Sequence, residues 1–177
     1  MELPNKRYSI IYADPAWHYQ TWGEGGKRNV TSKYKTMSMQ EIWDLPVCDI
    51  AENDCVLFLW VTYPKLIDCI KTIEKWGFTY KTCAFSWVKK NKKSDTWFWG
   101  LGYWTRANNE ICLLATKGKP KRASKGVHQI VDDRIREHSR KPDCVRDRIV
   151  ELCGDLPRIE LFARQKTPGW DVWGNEV

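Results

Sequence analysis

The stretch at residues 10–17, IIYADPAW, decides the first element of the fold and where that element ends. The apolar run from Tyr8 to Ala13 lacks the polar alternation of a one-sided strand, which predicts a strand buried on both faces. The run stops on Asp14 and Pro15, a pair that commonly begins a turn. In open parallel sheets, ligands bind where the strands end. The pattern therefore predicts that Asp14 lies at a binding edge.

Further strands and helices can be read from the rest of the chain. Ser38 and Glu41 have the spacing of a capping box, and Pro142 and Gly154 bracket a later helix. Buried strands separated by helices predict an α/β fold, with a mostly parallel central sheet covered by helices on both faces. The expected strands are 8–13, 55–61, 78–88, 110–116 and 158–163, and the expected helices begin near Ser38, Thr62 and Pro142, the second with an apolar stripe of Leu66, Ile67, Ile70, Ile73 and Trp76.

Length and composition indicate an ordinary globular chain. With 177 residues it can bury a substantial core, and we expect residues 1–177 to form a single domain. The seven cysteines are scattered without C-x-x-C spacing, which predicts no metal site and small buried thiols in a reducing compartment. No signal peptide opens the chain and no apolar run could span a bilayer, so we expect a cytoplasmic protein with no membrane partner.

The net charge of +7 is concentrated in three probable loops. Residues 89–93 read KKNKK, residues 117–125 hold five basic side chains without an acid, and residues 27–35 hold four more. Each cluster by itself is typical of a solvated surface. Together, and interleaved with tryptophan and tyrosine, they favour binding of nucleic acid, because cations hold phosphates and aromatic faces stack on exposed bases.

The groups of the ADPAW stretch suit one difficult reaction, the attack of an aromatic amine on an electrophile. Such an amine is a poor nucleophile because its lone pair is delocalised into the ring. The Asp14 carboxylate and the Pro15 carbonyl can accept its two hydrogens and favour the localised lone pair, and Trp17 can stack on an extruded base. Taken alone, these residues are more typical of a turn with Trp17 packed beneath it.

Residues 13–17 resemble the ADPPW signature of the methyltransferase-A family, whose members methylate adenine N(6) in eukaryotic messenger RNA and include bacterial and phage relatives. The resemblance extends over essentially the whole chain, in the order of the family's motifs. The other matching segments are YKTMS at 34–38, LFLWVT at 57–62, WGF at 76–78, WVK at 87–89, GYW at 102–104 with Glu110, KG at 117–118 with Pro120, HSRKPD at 138–143, IELFAR at 159–164 and WGN at 173–175.

The resemblance implies a Rossmann-like class I methyltransferase fold in permuted order, with the acceptor motif first and much of the cofactor site last. It implies S-adenosylmethionine as methyl donor and a catalytic turn formed by Asp14, Pro15, Ala16 and Trp17. The resemblance also implies that Lys141 pairs with the methionine carboxylate of the cofactor, and its place just before a predicted helix start is one that favours an anion. The groups expected around the cofactor ribose and adenine are Glu160, Arg164, Asn175 and Glu176.

Several loop residues are expected to bind the substrate. By the same resemblance, Tyr34 belongs to a loop that closes over the reacting groups. His138 is expected to position a loop, because the proposed chemistry needs no general base. Trp104, Arg106 and Asn108 lie on a loop that in the family borders the acceptor nucleotide or a partner subunit, and structural and substrate-binding roles are both open for them. The basic clusters add Lys89 and Lys117 to the expected substrate contacts.

The sequence departs from the family pattern at three points. Ala16 replaces the second proline of the signature, which keeps the backbone carbonyls but predicts a slightly looser turn. Only thirteen residues precede Asp14, so we expect no equivalent of the upstream segment with which eukaryotic members touch the cofactor adenine. Glu176 stands where those members carry an amide.

The leading interpretation is S-adenosylmethionine-dependent methylation of the N(6) amino group of adenine in DNA or RNA. One alternative is a catalytically weak partner subunit that only binds nucleic acid; retention of Asp14 argues against it, since inactive partners have lost this acid. Methylation of a cytosine amine or a protein amide is a second alternative. The loops suit single-stranded or locally opened substrate and binding that weakens with salt. The family's paired habit makes a homodimer plausible.

Overall fold

The strand that precedes Asp14 lies inside a seven-stranded sheet. The computed structural model describes residues 2–17, 37–102, 104–137 and 140–177. The strands are β1 (Tyr8–Ala13), β2 (Ala51–Val61), β3 (Thr79–Lys90), β4 (Glu110–Lys117), β5 (Ile130–Arg134), β6 (Arg158–Leu161) and β7 (Asp171–Trp173). The helices are α1 (Met39–Trp43), α2 (Leu66–Lys75) and α3 (Cys144–Cys153), with short 3-10 helices at Val47–Ile50 and Tyr63–Lys65.

The order of strands in the sheet is β5-β3-β4-β2-β1-β6-β7, and one strand of it is reversed. β1 pairs in parallel with β2 and β6, β6 with β7, and β3 with β5, whereas β4 is antiparallel to both β2 and β3. The prediction of a mostly parallel sheet in an α/β fold is confirmed. Because Ala13 lies opposite Leu59 and Leu161, the carboxyl ends of β2, β1 and β6 share one edge with Asp14.

Both faces of the sheet are covered, as predicted. On one face, Ile11 of β1 belongs to a buried cluster with Ile42 of α1 and Ile73 of α2. On the other, Ile10 and Tyr12 pack in a cluster that includes Val145 and Ile149 of α3. β1 is therefore apolar on both sides because it has a layer of helix on each side.

The predicted helix ends are observed where a local signal specifies them. Ser38 caps α1, its side chain accepting from the Glu41 backbone N–H while the Glu41 carboxylate accepts from the Ser38 N–H. Gly154 ends α3 with a φ of 91°, a conformation that other residues adopt only under strain.

Other element bounds differ from the prediction. β2 begins at Ala51, and α2 begins at Leu66 after a 3-10 turn, so its buried stripe is narrower than expected, with Ile67 73% exposed. β5 and β7 were absent from the prediction because the first is mixed in polarity and the second has three residues. β6 is thus not the last strand.

The cysteines pack as isolated side chains. All seven are free thiols, and Cys55, Cys69, Cys112 and Cys153 are buried. Burial raises the pKa of Cys55 to about 12 and that of Cys153 to about 11, so these thiols stay protonated at neutral pH. Within the ranges that the structure describes, no helix is long and apolar enough to cross a membrane.

Candidate active site at the carboxyl ends of the strands

The turn after β1 is held by two hydrogen bonds from Trp17. Its backbone N–H donates to the Pro15 carbonyl at 2.8 Å, and its indole N–H donates to the Trp60 carbonyl of β2 at 2.9 Å. The ring is buried, with 6% exposed, in the core cluster on the α1 and α2 face. In this arrangement Trp17 anchors the turn and offers no open face for the base stacking that the sequence suggested.

Asp14 belongs to a row of four alternating charges at the edge of the sheet. Lys141 Nζ lies 2.8 Å from Asp14 Oδ2 and 3.2 Å from Glu110 Oε2. The other Glu110 oxygen accepts a short hydrogen bond from Lys89 Nζ. Lys141 also lies over the ring of Trp60, with Nζ 5.6 Å from its centroid. The order is therefore Lys89, Glu110, Lys141, Asp14, and the charges compensate one another.

Mutual attraction stabilises the charged forms of Lys141 and Glu110 although burial opposes both charges. Burial lowers the pKa of Lys141, but Asp14 and Glu110 outweigh that effect and the pKa is raised. Burial raises the pKa of Glu110, but Lys141 and Lys89 outweigh it and the pKa is lowered. The sequence predicted that the Lys141 ammonium and the free N–H groups of a helix end would together bind an anion. The structure instead directs its ammonium at two carboxylates, while α3 begins at Cys144.

Glu160, which lies on β6, is held by a residue that the sequence analysis missed. Arg146 Nε and Nη2 each donate to a different Glu160 oxygen at 2.7 Å, and Arg146 Nη1 donates to Asp143 at 3.1 Å. The guanidinium lies over Tyr12, 5.6 Å from the ring centroid, and Tyr12 accepts the indole N–H of Trp60 at 2.6 Å. A signal for Arg146 was available in the sequence. It lies between Val145 and Ile149 on the buried side of a helix, where an arginine needs an acidic partner.

A cavity of about 550 Å³ opens beside these groups. It brings together residues from the first strand, the start of α3 and the last part of the chain. Arg164 and Glu176 form an ion pair across its rim, with Nε 3.8 Å from Oε1. Asn175 is exposed and does not line the cavity. The predicted site residues that do line it are Asp14, Lys141, Glu160, Arg164 and Glu176.

Lys117, which was expected among the substrate contacts, lies at the edge of the sheet opposite Asp14 and does not line this cavity. β4 is antiparallel, so Glu110 opens it at the edge of Asp14, whereas Lys117 pairs with Cys55 at the opposite edge of the sheet. Its ammonium donates to the carbonyls of Cys48 and Ala51 at 3.2 and 3.4 Å.

The loop between β3 and β4 contains two side chains that hydrogen-bond to its backbone and one tryptophan that is exposed. The Asn108 amide accepts from the Lys89 backbone N–H at 3.0 Å and donates to the Lys89 carbonyl at 3.0 Å. Arg106 donates to the carbonyls of Gly100 and Trp99 at 2.8 and 3.0 Å. Asn108 and Arg106 therefore shape the loop, while Trp104 is 92% exposed. Tyr34 and His138, for which roles were also expected, lie outside the described residues.

The fold and the cavity define a class of protein. A nucleotide-sized cavity lies at the carboxyl ends of β1 and β6 in a mostly parallel α/β sheet, next to the Asp-Pro turn after β1 and to the Glu160 carboxylate on the neighbouring strand β6. This is the location at which Rossmann-like proteins bind nucleotide cofactors.

Comparison with known proteins identifies the family. The model of the MT-A70 family matches residues 8–176, and the chain belongs to that family. A protein named Type II methyltransferase M.MunI, from Mycoplasma sp, is 37% identical over 99% of this chain and 80% of its own length.

Eukaryotic relatives match over a smaller part of their length. The N(6)-adenosine-methyltransferase catalytic subunit METTL3 of Homo sapiens is 27% identical over 97% of this chain and 28% of its own length. The N(6)-adenosine-methyltransferase MT-A70-like protein of Drosophila melanogaster is 29% identical over 97% of this chain and 27% of its own length. The chain thus spans little more than a quarter of these two relatives. The family resemblance read from the sequence is confirmed.

Proposed function

We propose that this protein transfers a methyl group from S-adenosylmethionine to the N(6) amino group of adenine in nucleic acid. The observation that carries the proposal is the position of Asp14, which ends β1 at a cavity of about 550 Å³ that Glu160 and Arg164 also line. Membership of the MT-A70 family and similarity to enzymes named adenosine and type II methyltransferases support the same chemistry.

The cavity suits S-adenosylmethionine in size and in the character of its lining. Its volume lies within the range of about 300–1,000 Å³ that is usual for small-molecule sites. Carboxylates such as Glu160 can accept from ribose hydroxyls, and Lys141 and Arg164 offer cations to a carboxylate. When bound, the cofactor supplies an electrophilic methyl group. Asn175 and Glu176 complete the proposed set at the rim.

The acceptor side of the reaction follows from the geometry of the turn. Lys141 binds Asp14 through Oδ2, so Oδ1 can accept one hydrogen of the amine while the second lone pair of the Pro15 carbonyl accepts the other. These two acceptors favour the localised lone pair on nitrogen and aim it into the cavity. The methylated nitrogen then loses a proton readily, so no general base has to act before the attack.

The substrate is proposed to be single-stranded or locally opened. A base inside a duplex cannot reach a turn recessed at the edge of a sheet, so the target adenine has to leave its stack. The exposed Trp104 and the loop that Asn108 and Arg106 shape lie at this edge and are the proposed contacts to neighbouring nucleotides.

The decisive experiment is incubation with labelled S-adenosylmethionine and sequence-matched DNA and RNA oligonucleotides, followed by nucleoside analysis. We expect the label in N(6)-methyladenine, and the polymer that carries it identifies the substrate. Asp14→Ala should abolish transfer while cofactor binding persists. Asp155→Ala, which removes an exposed acid paired with Arg158, is the matched control. Label in cytosine, or equal turnover by Asp14→Ala, would contradict the proposal.

A further inference from the structure

The basic residues at the catalytic edge are largely neutralised by acids. Within the 89–93 cluster, Lys90 pairs with Asp132 at 2.9 Å and Lys92 with Glu137 at 2.8 Å, while Lys89 binds Glu110. Arg134, Arg136 and Arg140, farther along the chain, also pair with acids. Three of the four lysines in the 89–93 cluster are therefore paired with acids, two of which lie on β5 and in the segment after it.

A surface with uncompensated positive charge lies elsewhere, on the loop from residue 118 to residue 129, which we call the distal basic loop. Its sequence, GKPKRASKGVHQ, contains no acid. Its four lysine and arginine side chains are exposed, and none forms an ion pair with another residue that the structure describes. They are Lys119, Lys121, Arg122 and Lys125.

The backbone of the distal basic loop is nevertheless anchored. Gly118 has a φ of 66°, and a Cβ there would lie 2.2 Å from the Asn53 carbonyl oxygen, so the loop starts in close contact with β2. The Lys119 N–H donates to Asp54 at 2.8 Å, and the Ala123 N–H donates to the Leu152 carbonyl of α3 at 2.7 Å. An anchored loop with exposed cations is organised in advance to bind an anion.

The distal basic loop lies at the edge of the sheet opposite the proposed active site. It follows Lys117, the end of the reversed strand β4, while Glu110 at the start of that strand belongs to the charge row with Asp14. An eight-residue strand at the usual rise separates the two edges by about 24 Å. A polymer that touches both must therefore extend well beyond its reacting base.

We infer that the distal basic loop binds the phosphate backbone of the substrate nucleic acid at a distance from the methylated adenine. The inference rests on the proposed function, because it names a second contact of the same substrate. A nucleic acid fits better than a lipid surface, since the loop offers cations without an exposed large apolar side chain to insert into a bilayer.

The test compares two variants that each lower the net charge by four units. The first neutralises the loop (Lys119→Gln, Lys121→Gln, Arg122→Gln, Lys125→Gln), and the control is Lys71→Glu with Lys75→Glu on the exposed side of α2. Each is assayed on a long oligonucleotide and on a trinucleotide, which is too short to reach from the active site to the distal basic loop even with its backbone fully extended.

For the long oligonucleotide we expect the loop variant to bind at least about tenfold more weakly than the control near physiological salt. In a plot of the logarithm of its association constant against the logarithm of the salt concentration, the slope should be less negative by about 0.7–0.9 for each phosphate that the loop no longer neutralises. Turnover of the short oligonucleotide should equal that of the wild type. Such a pattern separates the distal contact from the active site.

Equal affinity and equal salt dependence of the two variants on the long oligonucleotide would overturn the inference. Loss of binding to anionic vesicles by the loop variant, with unchanged binding of the long oligonucleotide, would overturn it in favour of a membrane contact. Failure of the wild type to methylate either oligonucleotide would instead contradict the proposed function, so the two failures are distinguishable.

Discussion

Arg146 donates hydrogen bonds of 2.7 Å to both carboxylate oxygens of Glu160, and both side chains are buried. Burial lowers the pKa of Arg146, but the hydrogen bonds and charge of Glu160 outweigh it and the pKa is raised. The pair fixes the direction of a carboxylate proposed to meet the cofactor ribose, and it links α3 to β6. Arg146 is thus a positioning residue that acts through Glu160.

Replacing Arg146 by methionine should destabilise the fold. The change leaves the Glu160 carboxylate buried without its partner, which typically costs about 3–5 kcal/mol. Denaturant unfolding measures the loss. The double variant Arg146→Met with Glu160→Gln should recover much of the stability but not the affinity for S-adenosylmethionine, measured by calorimetry. A double variant that binds the cofactor like the wild type would contradict the role given to the pair.

Acid should weaken the fold in part through Glu110. Its pKa is lower in the folded protein, so its contribution to stability is full above the unfolded pKa and is lost as the pH falls through the folded value. Glu110→Gln should therefore lower Tm at neutral pH, and the difference from the wild type should shrink as the pH falls below about 4. A difference that stays constant from neutral to acidic pH would show that ionisation of Glu110 is not responsible.

The two roles considered for Trp17 predict opposite results for Trp17→Phe. Phenylalanine keeps a stacking face but loses the indole N–H that binds the Trp60 carbonyl, so an anchoring role predicts about 1–3 kcal/mol of lost stability together with reduced turnover. A stacking role predicts nearly normal substrate affinity and stability. Thermal unfolding and the separate measurement of kcat and KM distinguish them, and an unchanged Tm would exclude the anchor.

Lys117→Met tests whether this residue stabilises the fold or contacts the substrate. Because its ammonium satisfies the Cys48 and Ala51 carbonyls at the far edge, we expect a loss of about 1–2 kcal/mol in stability and an unchanged KM for a short oligonucleotide. Lys89→Met at the catalytic edge, which removes a partner of Glu110, serves as the comparison. A raised KM for Lys117→Met together with normal stability would instead show that Lys117 contacts the substrate.

The sequence by itself determined the features that depend on near neighbours. The apolar run that forms β1, the Ser38 capping box, the glycine that ends α3 and the Asp-Pro turn are each specified by residues a few positions apart. The family motifs added the acceptor turn and four further residues, Lys141, Glu160, Arg164 and Glu176, which line one cavity together with Asp14. These predictions hold because hydrogen-bonding and periodicity signals within one element are short-range.

Only the tertiary structure decided which distant groups meet. Asp14 and Lys141 are 127 positions apart, and nothing local to either residue shows that they form an ion pair. The antiparallel direction of β4 places Lys117 at the far edge. Asp132 and Glu137 pair with Lys90 and Lys92 of the 89–93 cluster, whereas the distal basic loop stays cationic within the part of the chain that the structure describes. Strand direction and charge pairing follow from how the whole chain packs, because a buried charge is stable only beside the partner that folding brings to it.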